Sequence, residues 1–140
     1  MSQAENCIFC KIARAEAPAV KIFEDEHTLA FMDIYPASDG HALVISKAHY
    51  KNLFDMDPAL LTAVSLTTQK VGWAILRALN PDGLRVMQFN GASAGQTVFH
   101  YHVHLRPTYS GQDIRSHGRA LPDRDHIKDL ATKIRAELGN

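Results

Sequence analysis

Gly95-Gln96-Thr97-Val98-Phe99-His100-Tyr101-His102-Val103-His104-Leu105 is the stretch on which the reading of this chain turns. Its histidines recur at every second residue. In an extended strand successive side chains point to opposite faces, so His100, His102 and His104 emerge on one side. Phe99, Tyr101, Val103 and Leu105 emerge on the other. The pattern predicts a strand over Val98 to Leu105 with an apolar core face and a row of imidazoles opposite. Imidazole titrates nearest to neutrality, which suits a nucleophile, a proton carrier or a metal ligand.

Around this strand the chain reads as one ordinary globular domain. It has 140 residues, 46% of them hydrophobic and 21% charged, enough for a single sizeable core. Fifteen basic residues balance fifteen acidic ones. No block of like charge offers the many basic contacts that a long nucleic acid requires. A small phosphorylated ligand stays open, because backbone N–H groups and imidazoles hold phosphate without a basic surface. Met1 to Arg14 carries no cleavable signal pattern and no apolar run reads as a membrane span, so a cytoplasmic protein is expected. Without an export signal, the spacing Cys7-Ile8-Phe9-Cys10 points to metal or redox chemistry more than to a structural disulfide.

Periodicity orders the rest. A short helix is expected over Cys7 to Arg14, and a hairpin from Val20–Glu24 and Thr28–Ile34 with its turn at Asp25-Glu26-His27. A strand follows within His41–Ser46. Asp57-Pro58 is an N-cap followed by proline at the first helical position. Leu61, Val64, Val71, Ile75 and Leu79 share one helical face with Thr68 in the gap, and Asn80-Pro81 stops the helix. Leu84 to Phe89 reads as a strand and Asn90 to Gly95 as a loop. Ile127, Leu130, Ile134 and Leu138 give a last amphipathic helix ended by Gly139. The expected class is α+β: a mostly antiparallel sheet with one long helix and short terminal helices, the core over about residues 7–107 and a helical extension over about 122–139.

The triad segment, together with Cys7-Ile8-Phe9-Cys10-Lys11-Ile12, Phe31-Met32-Asp33-Ile34 and Gly40-His41-Ala42-Leu43-Val44-Ile45 in that order, resembles the histidine triad family of nucleotide hydrolases and transferases. The resemblance implies that His102 attacks phosphorus to give a transient nucleotidyl-histidine that water cleaves. It gives His104 to the phosphate or leaving group, His100 to orientation of the site, and His41 to a proton relay behind it. Asp33 would hold the ribose hydroxyls. Phe9, Phe31, Ile34 and Leu43, with Ile8 and Ile12, would form the slot for a purine. Gly95, Gln96, Thr97 and Val98 would cradle the phosphate, with Asn90 a candidate amide beside it. Two thiolates alone do not complete a tetrahedral zinc site. Bacterial members with this N-terminal motif carry such a site, and the matching further ligands are His49 and His100. The implied cofactor is structural zinc, and the implied assembly a homodimer to which the long helix contributes.

Two positions depart from the family pattern. Phe89 stands where an Asn or Gln is usual, and Arg106 follows Leu105 where a second apolar residue is usual. The implied activity is hydrolysis or transfer at the α-phosphate of purine nucleotide conjugates, of the nucleoside phosphoramidase type. The alternatives are a dinucleoside polyphosphate hydrolase of the same family, a metallohydrolase ligating zinc through His100, His102 and His104, and a nucleotide-binding module with low turnover.

Overall fold

The computed structural model describes residues 3–112 and 123–139. The elements run α1 (Gln3–Asn6), α2 (Ile8–Ala13), β1 (Lys21–Glu24), β2 (Thr28–Met32), β3 (Ala42–Ser46), α3 (Pro58–Leu79), β4 (Gly83–Met87), β5 (His102–Thr108) and α4 (Arg124–Glu137). The strands form one sheet in the order β1-β2-β3-β5-β4, and every neighbouring pair is antiparallel. The fold is α+β, as the alternation of short strands and one long helix implies.

The ends of α3 follow from local chemistry. The Asp57 carboxylate accepts a hydrogen bond from the Leu60 N–H, Pro58 opens the helix, and Asn80 closes it in the left-handed region at φ 48°. Its buried face is Val64, Thr67, Val71, Gly72, Ala74 and Ile75. Thr67, not Thr68, fills the gap in that stripe, because its hydroxyl meets that of buried Thr28 at 2.8 Å. Thr68 instead turns its hydroxyl to the Val64 carbonyl. Val71 and Ile75 are fully buried, each contributing roughly 1.5–3 kcal/mol of burial. At 22 residues and mean hydropathy 1.2, α3 is long and apolar enough to cross a membrane, which the sequence reading did not anticipate. In this fold its apolar stripe is spent on the sheet and on α4.

Register decides what the sheet presents on each face. Residues directly paired across strands share a face. Ala30, Met32, Ala42, Val44, Val103 and Leu105 face α3 and α4, whose Ile127, Leu130, Ala131 and Ile134 complete this core. On the other face Phe31, Leu43, His104 and Met87 form one cross-sheet row, and Leu29, Ile45 and His102 form the next. Phe9 and Ile12 of α2 cover this second face with Leu29, Phe31, Leu43 and Ile45. Hence β2 and β3 are buried at every residue.

Several expected boundaries move. β2 stops at Met32, before Asp33. β4 spans Gly83–Met87 and leaves Phe89 beyond it. β5 starts at His102, because the Tyr101 N–H bonds the Tyr50 carbonyl at 2.7 Å and the chain before it follows the 46–50 segment. The strand then continues past Leu105 to Thr108. Phe99, expected on the core face, is 37% exposed, since it precedes the strand and escapes its alternation. The first residue of the expected C-terminal extension, 122, lies outside the described residues.

Gly40 marks a close approach just before His41. It has φ +91°, and a Cβ there would sit 2.5 Å from Leu79 Cδ1 and 3.1 Å from Pro107 Cγ. Gly40→Ala should destabilise the fold by roughly 1–3 kcal/mol, read as a lowered midpoint in urea with an unchanged slope.

Candidate active site

The sheet brings His41, His102 and His104 together on its second face, and the hydrogen bonds fix the tautomer of each ring. A carbonyl only accepts and a backbone N–H only donates, so each contact with one assigns a ring nitrogen. His102 Nδ1 lies 2.7 Å from the His100 carbonyl and must carry the hydrogen. A neutral His102 therefore has its lone pair on Nε2. The ring is 6% exposed and packs edge-on against Phe9, with centroids 5.1 Å apart.

His41, fully buried, receives the Ala37 N–H on Nδ1 at 3.0 Å. Its hydrogen is then on Nε2, 3.1 Å from His104 Nδ1 and 3.6 Å from Asp33 Oδ2. Donation to His104 Nδ1 leaves the His104 hydrogen on Nε2. Burial, followed by the neighbouring His102, His41 and Arg106, pushes His104 down to about 3, against a weaker pull from Asp33. His104 is a neutral donor at any ordinary pH. The backbone N–H on His41 Nδ1 thus leaves the His41 Nε2–H directed at His104 Nδ1.

His100 is turned away from this pair. Its Nε2 donates to the Ser46 carbonyl at 2.6 Å, leaving an Nδ1 lone pair. That atom faces Cys7 Sγ at 3.4 Å, Cys10 Sγ at 3.5 Å and His49 Nδ1 at 3.3 Å, and Cys10 Sγ is 3.3 Å from His49 Nδ1. Tetrahedral zinc at ordinary bond lengths holds its S and N ligands roughly 3.3–3.8 Å apart. The four donor atoms thus fit zinc in number, type and spacing. His49 Nε2 is buried without a hydrogen-bond partner, so Nδ1 is the nitrogen that can seat the ring. Burial and the adjacent Cys7 raise the Cys10 thiol to about 11, a cost that a bound cation would remove.

The triad does not converge on one ion. Among the described residues the groups able to hold a metal are Cys7, Cys10, His49 and His100, and separately Asp33, His41 and His104. Neither contains His102. The metallohydrolase alternative is therefore left without its ligand set.

Around the histidines the other expected residues divide. Phe9 and Phe31 meet edge to face at 5.4 Å beside Leu43, while Ile34 is half-buried and Ile8 is 46% exposed. Asp33 is buried, and its Oδ1 accepts the Tyr35 N–H at 2.8 Å. The Gln96 side chain braces the loop itself, donating to the Lys51 and Val98 carbonyls and accepting the Gly91 N–H. Asn90 Oδ1 accepts from the Leu53 N–H and from Gln88, and its Nδ2 donates back to Gln88. Phe89 lies 5.5 Å from His104, ring to ring, and a Cβ on Gly95 would touch it at 3.7 Å. A cavity of about 560 Å³ opens beside the cysteine cluster, lined by Ile8, His49, Lys51, Thr97, Val98 and Phe99 among others. It does not reach His102 or His104. Sequence reasoning missed the Ser46 and His100 carbonyls and the Ala37 N–H, since backbone groups leave no residue signature.

The HIT domain profile matches residues 14–111. The chain belongs to the HIT domain family. The HIT chain is 44% identical over 113 residues to "Protein hit" of Bacillus subtilis, covering 81% of this chain and 78% of that one. It is 35% identical over 122 residues to "Adenylylsulfatase HINT3" of Arabidopsis thaliana, covering 83% of this chain and 62% of that protein. Among solved structures, a zinc-bound histidine triad family protein from Mycobacterium smegmatis superposes with TM-score 0.86 at 34% identity, covering 97% of this chain and 95% of that one.

Proposed function

We propose that this HIT protein cleaves purine nucleotide conjugates at the α-phosphorus through a nucleotidyl intermediate on His102. The single observation that carries the reading is the His102 Nδ1 contact with the His100 carbonyl, which leaves Nε2 as the nucleophilic lone pair on the sheet face. His104 Nε2–H, aligned from behind by His41, would donate to a phosphate oxygen or to the departing atom. The apolar residues Phe9, Phe31, Ile34 and Leu43 would hold the base, selecting a purine by shape more than by hydrogen bonds. Asp33 would take the ribose, and the backbone of Gly95–Val98 the phosphate. A bound nucleotide would have to open Asp33, which supports a small shift of the 33–41 loop on binding.

Zinc fits the site of Cys7, Cys10, His49 and His100, where it would tie α2 to the approach of β5 and supply no chemistry to the phosphorus. We also read the protein as a cytoplasmic homodimer. Trp73 and Leu66 on α3 are 54% and 61% exposed, and Val86 on β4 is 55% exposed, an apolar surface beside a sheet edge.

The test is turnover of the purified full chain on adenosine 5′-phosphoramidate and on a diadenosine polyphosphate, following release of the mononucleotide. Catalysis of either, at least a hundredfold above a heat-inactivated control, is expected. Binding of the mononucleotide with no turnover of either would favour the nucleotide-binding module.

A further inference from the structure

The Cys7-Ile8-Phe9-Cys10 spacing has a redox side as well as a metal one, and the two sulfurs differ in access. Cys7 is half-buried and lines the cavity beside the cluster together with Lys51 and Thr97. Cys10 is 3% exposed and is absent from that lining. Oxidation of cysteine follows thiolate character and access. A sulfur that ligates zinc is a thiolate at ordinary pH, so both cysteines have the first property. Only Cys7 adds the second, and Lys51 brings a cation to the same cavity, the kind of surroundings in which reactive cysteines occur.

A partner for an oxidised Cys7 stands close by. Cys7 Sγ and Cys10 Sγ lie 3.4 and 3.5 Å from the same atom, His100 Nδ1, and within 4.8 Å of each other. The Lys11 N–H bonds the Cys7 carbonyl at 3.0 Å, which sets the two cysteines along one helical turn. A sulfenic acid with a second cysteine in reach condenses to a disulfide, which spares it further oxidation.

We propose that Cys7 is a hydroperoxide-reactive site, and that the Cys7–Cys10 disulfide it leads to releases the zinc and loosens the slot for the base. This rests on the zinc and base-slot readings above and adds a control to them. In the first step the Cys7 thiolate attacks one oxygen of hydrogen peroxide. The S–O bond forms, the O–O bond breaks, and hydroxide leaves with the electron pair. The Cys10 thiolate then attacks the Cys7 sulfur. The S–S bond forms, the S–O bond breaks, and a second hydroxide leaves. The two thiolates have given up two electrons, the peroxide has accepted them, and both hydroxides take protons from solvent.

Neither sulfur of the disulfide is a thiolate, so His49 and His100 remain as two ligands of the four that a tetrahedral site requires. The consequence travels through Phe9, which lies between the two cysteines. Its ring centroid is 5.4 Å from that of Phe31, 5.9 Å from that of His100 and 5.1 Å from that of His102. A shift of the turn that carries both sulfurs is therefore felt directly in the slot assigned to the base.

The experiment exposes the full chain, purified in reducing buffer and then freed of reductant, to hydrogen peroxide beside a chromophoric zinc chelator. One zinc per chain should be released as two thiols are lost. Dimedone added in a parallel sample should label Cys7, read by mass spectrometry. Calorimetric titration should find adenosine 5′-monophosphate bound roughly three- to tenfold more weakly after oxidation, the worth of one aromatic contact. Dithiothreitol followed by zinc should restore both the metal and the affinity. Zinc that stays bound, a dimedone label on Cys10 instead of Cys7, or an affinity unchanged by oxidation overturns the proposal and leaves the zinc and base-slot readings standing. A reduced protein that holds no zinc, or that binds no mononucleotide, overturns the corresponding reading and this proposal with it.

Discussion

His102→Ala should lose a thousandfold or more of hydrolysis, on the order expected when a covalent nucleophile is removed, while still binding a purine mononucleotide. The two halves of this expectation come from different parts of the site. The His102 Nδ1 contact with the His100 carbonyl leaves the lone pair of the neutral ring on Nε2, the atom that attacks in the proposed reading. The base and ribose contacts are assigned to Phe9, Phe31, Leu43 and Asp33, none of which depends on the His102 ring for its backbone position. His104→Asn should cost less, roughly a hundredfold, because it removes a donor and not the bond-forming atom. Calorimetric titration with the nucleotide, beside a turnover assay, checks both halves. A His102→Ala protein with turnover near wild type would remove the nucleophile assignment.

The second large effect concerns the fold. Freshly purified protein in reducing buffer should carry one zinc per chain, and Cys7→Ser with Cys10→Ser should abolish it. The domain has its own cores on both sides of the sheet, so it should not unfold outright as a zinc finger does. A loss of roughly 2–4 kcal/mol is expected, lowering Tm by about 10 °C. The lever is local: α2 would come away from His100, and with it Phe9, whose ring contacts both His100 and His102. Turnover per folded molecule should fall less than stability does. Metal analysis finding no zinc in the wild type would remove this part of the account.

Much of this molecule was legible because its sequence repeats itself at the right period. The α3 caps, Asp57-Pro58 and Asn80-Pro81, are local chemistry, and the structure places both where the residues put them. The triad's alternation correctly put His102 and His104 on one face. It failed at Phe99, which precedes the strand, whereas His100 lies with His102 against Phe9 of α2 although its backbone follows the Ser46–Tyr50 segment, a long-range contact that no local pattern encodes. The metal cluster was reached through a family likeness; spacing alone could supply Cys7 and Cys10 but not the distant His49 and His100. The tautomers were illegible for a further reason, that their partners are backbone atoms. Phe89 and Arg106 were visible as departures, and the register then showed where they sit: one ring against His104, one guanidinium opposite Arg85.

The most direct test of the account is a rapid quench of the full chain during turnover of an adenosine conjugate, followed by digestion under basic conditions and mass spectrometry of the peptide spanning the triad. Basic conditions preserve a phosphorus–nitrogen bond long enough to map it. An adenylyl group on His102, absent from His102→Ala, is the expected result. An adenylyl group on His104 or elsewhere, or steady turnover with no adduct on His102 at any quench time, would contradict it.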